Sequence, residues 1–332
     1  MAEFQIGELR EYLRRIEGQK TSLRELRTEF GILPGSKSFD SIRKMVFSLV
    51  EERVLRPTGV RGEYKVIKKV NPISVYGRER RAPIDVIFPK DFDTGMEMSF
   101  AEDIVLREGD MILLSGMSNF GKTTLCMNLC AENLDKKPIL MGNEYTTMDN
   151  EPSQRFLLRL DAMDWFQWFN GDGTDRFTLL PVREDYPEHI VKDNLNIIDW
   201  INLPGEYYMI SPVMEGIKHA IGKGIAVIAL QKNADKEYGR GGYLTKDFAD
   251  CELLLDKYGD TDEVLLTVGK VKEPKRRVVG RTFAYGISKG VKIINFREVI
   301  KCPDCYGKGW VKFGNSSKPC DRCFKRGMID RE

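Results

Sequence analysis

The nine residues Gly116-Met-Ser-Asn-Phe-Gly121-Lys122-Thr123-Thr124 fit the pattern G-x-x-x-x-G-K-[ST] without substitution. An apolar run, Met111-Ile-Leu-Leu, leads into them, and a helix-compatible run, Thr124-Leu-Cys-Met-Asn-Leu-Cys, leads out. Strand, glycine loop and helix in that order make a phosphate cradle. Small residues let backbone N–H groups wrap the anion, and the helix N-terminus adds the positive end of its dipole. Gly116, Ser118, Asn119, Gly121 and Thr124 are the expected loop contacts. Lys122 is expected to reach the β- and γ-phosphates, and the Thr123 hydroxyl to ligate Mg²⁺. Such a chain is expected to bind ATP or GTP at the carboxyl edge of a parallel sheet.

With 332 residues the chain has room for two or three domains. Hydrophobic residues make up 42%, enough for a real core, and the 31% charged residues fit a soluble protein. Its longest apolar runs, Ile225-Ala-Val-Ile-Ala-Leu and Val264-Leu-Leu, are too short to span a membrane. The N-terminal Met-Ala-Glu-Phe-Gln lacks a basic-then-apolar signal pattern, so the expected location is cytoplasmic. The net charge of +2 conceals an asymmetry: residues 1–81 hold 18 Lys/Arg against 11 Asp/Glu, residues 296–332 hold 9 against 5, and the stretch between is acidic. Basic ends around an acidic middle point to a polyanion, nucleic acid first; the other reading is scatter in surface charge.

Residues 1–70 read as a small helical unit closed by a hairpin. Phe4, Ile6, Leu9, Tyr12, Leu13 and Ile16 recur at helical spacing, Ser22 and Glu25 form a capping box, and Ile42, Met45, Val46, Leu49 and Val50 share one face of a third helix. Two strand-like runs follow, from Val54 and from Gly62. Three helices and a β-hairpin resemble a winged helix-turn-helix domain. That resemblance implies DNA contacts by Arg43 and Lys44 on the third helix and by Arg61 and Lys65 on the wing, a protein partner being the alternative. Residues 71–100, with Pro72, Pro83 and Pro89, read as a linker or leading segment, either simply solvated or touching nucleic acid through its basic residues. From 101 to 295 short apolar strands alternate with helical segments. The expected strands are Met111–Leu114, Ile139–Met141, Leu195–Ile198, Ile225–Leu230, Glu252–Leu255, Val264–Val268 and Phe283–Ile287. No internal repeat is evident.

Three strand ends carry candidate chemistry. Pro138-Ile-Leu-Met-Gly-Asn-Glu144 ends in a carboxylate that either polarises a water attacking the γ-phosphate or simply faces solvent. Asn194-Leu-Asn-Ile-Ile-Asp199, roughly 75 residues after the loop, has the form that places Asp199 on Mg²⁺ opposite Thr123. The run from Ile225 ends in Gln231-Lys-Asn, an amide suited to sensing the γ-phosphate, and Tyr238-Gly-Arg240-Gly-Gly-Tyr-Leu-Thr then offers Arg240 on a glycine-rich loop for DNA or for switching. The aromatic run Trp165-Phe-Gln-Trp168-Phe169 suits core packing better than base stacking.

In this order the elements resemble the RecA-like ATPase core of DnaB-type hexameric helicases, a layout shared with KaiC-type ATPases. The resemblance implies ATP held between subunits of a ring or filament, commonly six-membered. It also implies that Gly269-Lys270-Val271-Lys272 stands where that family places a K-x-R element reaching the neighbour's nucleotide. Here Lys272 occupies the arginine position and cannot make a guanidinium's bidentate fork, and Arg276 or Arg277 are the substitutes at hand. The implied partner is DNA, single-stranded at the core and duplex at the winged helix. No primase module is evident. The activities implied are helicase, recombination or repair ATPase, or a non-translocating switch acting on a protein partner.

Seven cysteines occur, and four form Cys302-Pro-Asp-Cys305 and Cys320-Asp-Arg-Cys323, two C-x₂-C pairs 14 residues apart. That spacing is expected to bring four thiolates to a structural Zn²⁺ over 296–332, with no open position for catalysis. Cys305-Tyr-Gly-Lys-Gly resembles the zinc-binding repeat of DnaJ chaperones. The expected fold is therefore α/β: a RecA-like P-loop core with a mainly parallel sheet, a small winged helix before it and a zinc ribbon after it.

Overall fold

The computed structural model describes residues 5–201, 210–232, 243–314 and 316–331. The chain divides into two compact units, Met1–Arg80 and Arg81–Glu332.

The first unit runs α1 (Ile6–Arg15), β1 (Lys20–Ser22), α2 (Leu23–Glu29), α3 (Lys37–Glu51), β2 (Leu55–Pro57), β3 (Glu63–Val66). Helical spacing places Leu9 and Leu13, Leu26, and Ile42, Val46 and Leu49 on faces that meet in one core with Leu55 and Val66. The capping box starts α2: Glu25 N–H donates to Ser22 Oγ at 3.1 Å and Ser22 N–H to Glu25 Oε2 at 2.7 Å. The expected hairpin is β2 and β3, and β1, which the sequence did not suggest, pairs with the other edge of β3.

The second unit contains β4 (Met111–Gly116), α4 (Lys122–Glu132), β5 (Ile139–Met141), α5 (Gln154–Ala162), β6 (Thr178–Leu180), α6 (Tyr186–His189) and β7 (Leu195–Ile198). It continues with α7 (Ile210–Ala220), β8 (Ile225–Gln231), α8 (Tyr243–Phe248), β9 (Cys251–Lys257), β10 (Val264–Val271), β11 (Thr282–Ser288) and β12 (Lys292–Lys301). A two-stranded ribbon, β13 (Trp310–Phe313) and β14 (Ser316–Pro319), and β15 (Met328–Asp330) complete it. Ten strands make one sheet in the order β15-β12-β11-β10-β9-β4-β8-β7-β5-β6. From β6 to β9 the strands are parallel, and the extension through β10, β11, β12 and β15 is antiparallel. Every expected strand is present; β6, β12 and β15 are additional.

The parallel part is covered on both faces, which is why its strands read as unbroken apolar runs. Along β4, Ile112 and Leu114 pack with Leu125, Cys126 and Leu129 of α4, while Met111 and Leu113 pack with Met214 and Ile217 of α7. Residues expected to be a linker also enter this core, since Val86, Phe88, Met98 and Phe100 are buried in it. Of the aromatic run, Trp168 is buried and Trp165 and Phe166 pack against the core as expected, while Phe169 is exposed. No helix among the described residues is long and apolar enough to cross a membrane.

Because α4 is buried on nearly all sides, its polar residues must be satisfied internally. At its end Asn133, fully buried, accepts from Ile87 N–H at 3.0 Å and donates to the carbonyls of Ile87 and Leu129, both at 2.8 Å. Asn133→Leu would strand both polar groups of Ile87, so a loss of at least ~2 kcal/mol is expected, read as a lower urea midpoint.

Candidate nucleotide site and cysteine cluster

Strand β4 brings Gly116 to the carboxyl edge of the sheet, in register with Gln231 of β8 on one side and Leu255 of β9 on the other. The loop then passes Asn119 and Gly121 in the left-handed region, at φ 67° and 77°, and α4 begins at Lys122. Lys122 Nζ donates to the carbonyls of Gly116 at 2.8 Å and Met117 at 2.7 Å, which lays the ammonium group over the loop. Gln231 Nε2 donates to Ser118 Oγ, and Lys232 N–H to Gly116 O at 2.9 Å, so the end of β8 is stitched to the loop. The Thr124 hydroxyl is engaged elsewhere, donating to Gly290 O at 2.9 Å in the turn between β11 and β12.

Strand β7 lies beyond β8, so Asp199 approaches the loop from two strands away. It is fully buried. The Tyr145 hydroxyl donates to Oδ2 at 3.0 Å, and Oδ1 has no hydrogen-bond partner among the described residues. Burial pushes the carboxyl up to about 6, against the Thr123 and Tyr145 hydroxyls, which favour its charged form. A buried carboxylate with one orphaned oxygen beside a threonine hydroxyl is a hard-oxygen donor set that fits Mg²⁺.

Next to β7, β5 ends at Met141 and the chain turns through Gly142. The turn requires glycine: φ is 129°, and a Cβ would fall 2.0 Å from Asp199 O. Beyond it Tyr145 drops under the sheet edge to Asp199, while Glu144 lines a cavity of about 570 Å³ over the loop. Glu144 Oε2 lies 3.9 Å from Arg159 Nη1, and Arg155, one turn earlier on α5, faces the same cavity. The far wall comes from the turn between β9 and β10, including Thr261, Asp262 and Glu263. Lys122, Thr123, Glu144 and Gln231 thus line one cavity with Asp199 beneath it. Tyr145, Arg155, Arg159 and the far wall escaped the sequence reading; only the 11- and 15-residue spacing of the arginines from Glu144 hinted that α5 returns to the edge.

Lys270 and Lys272 are elsewhere. Val271 pairs with Cys251, which pairs with Ile112, so both lysines sit at the opposite edge of the sheet from the loop. Lys270 Nζ donates to Lys246 O at 2.7 Å, and Lys272 Nζ to Asp250 Oδ1 at 2.9 Å. Arg276 is bound to Asp103 at 2.6 Å. On the first unit Arg43, Lys44, Arg61 and Lys65 are all exposed. Arg240, with most of its glycine-rich loop, lies outside the described residues.

At the C-terminal end the sheet strand β12 runs directly into the first cysteine pair, so the cysteine-bearing segment starts at 302. The sulfurs of Cys302, Cys305, Cys320 and Cys323 all lie within 4.8 Å of one another, with Cys302–Cys320 at 3.7 Å and Cys305–Cys323 at 3.6 Å. A tetrahedron with metal–sulfur bonds of about 2.3 Å has edges of about 3.8 Å, so the set fits Zn²⁺. Gly309 N–H donates to Cys305 Sγ at 3.2 Å and Gly327 N–H to Cys323 Sγ at 3.3 Å, the outer bonds that orient thiolate ligands.

No protein-family model and no curated protein matches the sequence. Among solved structures the chain is similar to the RadB recombinase, at 16% identity, covering 57% of this chain and 91% of that one with a TM-score of 0.40. It is also similar to a KaiC-like protein of the hyperthermophilic archaeon Pyrococcus horikoshii OT3, at 16% identity, covering 64% and 97% with a TM-score of 0.43.

Two outcomes are expected from this geometry. Atomic emission should find about one zinc per chain, falling several-fold in Cys320→Ser. Gly142→Ala should push Asp199 out of place and weaken Mg²⁺-dependent nucleotide binding about tenfold in calorimetry, with zinc content unchanged.

Proposed function

We propose that the protein is a Mg²⁺-dependent ATP hydrolase with a RecA-like core that works on DNA as an oligomer. The observation that supports this best is the meeting of side chains from the ends of β4, β5, β7 and β8 at one cavity. In this reading Lys122 and the loop N–H groups bind the β- and γ-phosphates, and Thr123 and Asp199 would hold Mg²⁺. When bound, Mg²⁺ would supply charge neutralisation to the phosphates and would favour the ionised form of Asp199. Glu144 orients the attacking water and takes its proton. Arg159 restrains Glu144, and with Arg155 it places positive charge on the side of the cavity where negative charge builds up. Gln231, already on Ser118, senses the γ-phosphate and relays its loss.

The remaining assignments follow the charge. The first unit is read as a winged helix that meets duplex DNA through Arg43, Lys44, Arg61 and Lys65, and the core as the part that meets single strands. Lys270 and Lys272, remote from their own loop, act at the phosphates of a neighbouring copy. Lys272 is a point charge where bidentate contact needs a guanidinium, which favours a nucleotide-controlled switch or recombination-type ATPase over a processive helicase.

Purified protein should hydrolyse ATP only with Mg²⁺, and single-stranded DNA should raise the rate several-fold without strand displacement. Lys122→Ala should abolish turnover. Glu144→Gln should cut kcat about 100-fold or more while leaving nucleotide binding intact. An ATPase rate indifferent to DNA would remove the DNA-coupled reading, and normal turnover by Glu144→Gln would remove the assigned base.

A further inference from the structure

The cysteine cluster is built twice. Cys302-Pro-Asp-Cys305-Tyr306-Gly-Lys308-Gly309 and Cys320-Asp-Arg-Cys323-Phe324-Lys-Arg326-Gly327 match at an offset of 18 residues, the same offset that separates the facing sulfurs. This is an internal repeat the sequence reading overlooked. In both copies the residue after the second cysteine is aromatic, and Tyr306 and Phe324 are left-handed, at φ 53° and 49°. Their rings are 80% and 74% exposed. A bulky side chain rarely takes that backbone, and a solvated ring adds nothing to a core, so packing accounts for neither residue.

The ribbon between the two knuckles exposes two more rings, Trp310 at 46% and Phe313 at 67%. Cations accompany them: Lys325 Nζ lies 5.2 Å from the Trp310 ring centre, Lys318 5.7 Å from Phe313, and the Arg326 guanidinium 6.0 Å from Phe324. The three nearby carboxylates are all paired, Asp304 with Arg322, Asp321 with Lys318 and Asp330 with Arg297. Lys308, Lys312 and Lys325 have no carboxylate partner among the described residues. Pairing of β15 with β12 holds the ribbon on the edge of the large sheet.

Exposed rings interleaved with unpaired cations match a ligand that offers both free π-faces and a phosphate at every step. Duplex DNA hides its base faces, and an unfolded polypeptide does not carry an anion at every step to meet the lysines. We propose that the two knuckles and their ribbon form a binding site for single-stranded nucleic acid, with bases stacking on Tyr306, Phe324 and Trp310 and phosphates on Lys308, Lys312 and Lys325. The site needs neither nucleotide nor hydrolysis, so it stands apart from the ATPase reading.

Full-length protein carrying Lys122→Ala, without nucleotide, is titrated into a fluorescein-labelled oligo(dT) of about 20 nucleotides and followed by anisotropy. Adding Tyr306→Asn and Phe324→Asn keeps a residue type that tolerates left-handed backbone while removing both rings. The expected result is a Kd raised at least tenfold with zinc content unchanged. Lys308→Glu with Lys325→Glu should also weaken binding and flatten its salt dependence. As a local reading that does not depend on the ring variants folding, oligo(dT) should quench tryptophan fluorescence in the parent and less in Trp310→Leu. Undiminished affinity in the zinc-loaded ring variant, or quenching that Trp310→Leu leaves unchanged, overturns the proposal. So does an unfolded, carboxymethylated polypeptide binding at this surface while oligo(dT) does not.

Discussion

A carboxylate with no exposure to solvent is tolerated only where something answers its charge, and the candidate site is arranged around that problem at Asp199. Tyr145 satisfies one oxygen, and the other has no hydrogen-bond partner among the described residues. Bringing Asp199 so close to the end of β5 requires that Gly142 have no side chain, because the neighbouring backbone occupies the place of its Cβ. The parallel pairing of β5 with β7 and of β7 with β8 then fixes the height of the carboxylate relative to the loop. Burial raises the pKa of the group, which makes its ionised form costly and a bound cation correspondingly valuable. A buried carboxylate with a raised pKa beneath a cavity is the pattern that functional centres concentrate.

The wall facing that carboxylate is tied to the other end of the second unit. Arg297 on β12 donates two bonds to Glu263 of the cavity wall, at 2.7 and 2.8 Å, and a third to Asp330 of β15 at 2.9 Å. A fork shared between two carboxylates holds both in one geometry, and these bonds, Glu263 first, raise the Arg297 pKa further. The Arg297 and Arg326 guanidiniums each lie 5.7 Å from the Tyr258 ring centre. The cavity wall and the cysteine-bearing segment therefore belong to one hydrogen-bonded body. A ligand that displaced β15 would have to break the Arg297–Asp330 pair or carry the wall with it.

How much of this was legible in the sequence depended on the range over which each feature acts. The phosphate loop is local: its glycines, lysine and threonine perform their roles within nine residues, so a pattern captures it. Asp199 and Glu144 were legible because apolar runs that stop at a carboxylate mark one edge of a parallel sheet. Tyr145 was not, since its partner is 54 residues away and a tyrosine after a strand carries no sign of what it will touch. Arg159 and Glu263 were hidden for the same reason, and so was the burial of Val86, Phe88 and Phe100, which lack periodicity because their backbone is irregular. Strand β12 was missed because its Asn-Phe-Arg-Glu centre breaks up the apolar run by which the other strands were read.

The same long-range logic bears on Lys272, where sequence alone placed the doubt about a shared site. Its partner Asp250 is buried and already holds Lys218, and it also accepts from Met111 N–H at 2.9 Å to anchor the start of the loop strand. Those bonds lower the Asp250 pKa despite its burial. If Lys272 swung towards phosphates on a neighbouring copy, Asp250 would keep a cation and a backbone donor, so the departure would not leave a buried charge unanswered. Lys270 is less free to move, because its ammonium group caps carbonyls of α8. For both lysines to act in the proposed assembly, Lys270 would have to give up carbonyls of α8, whereas Lys272 would give up only a carboxylate that keeps other partners.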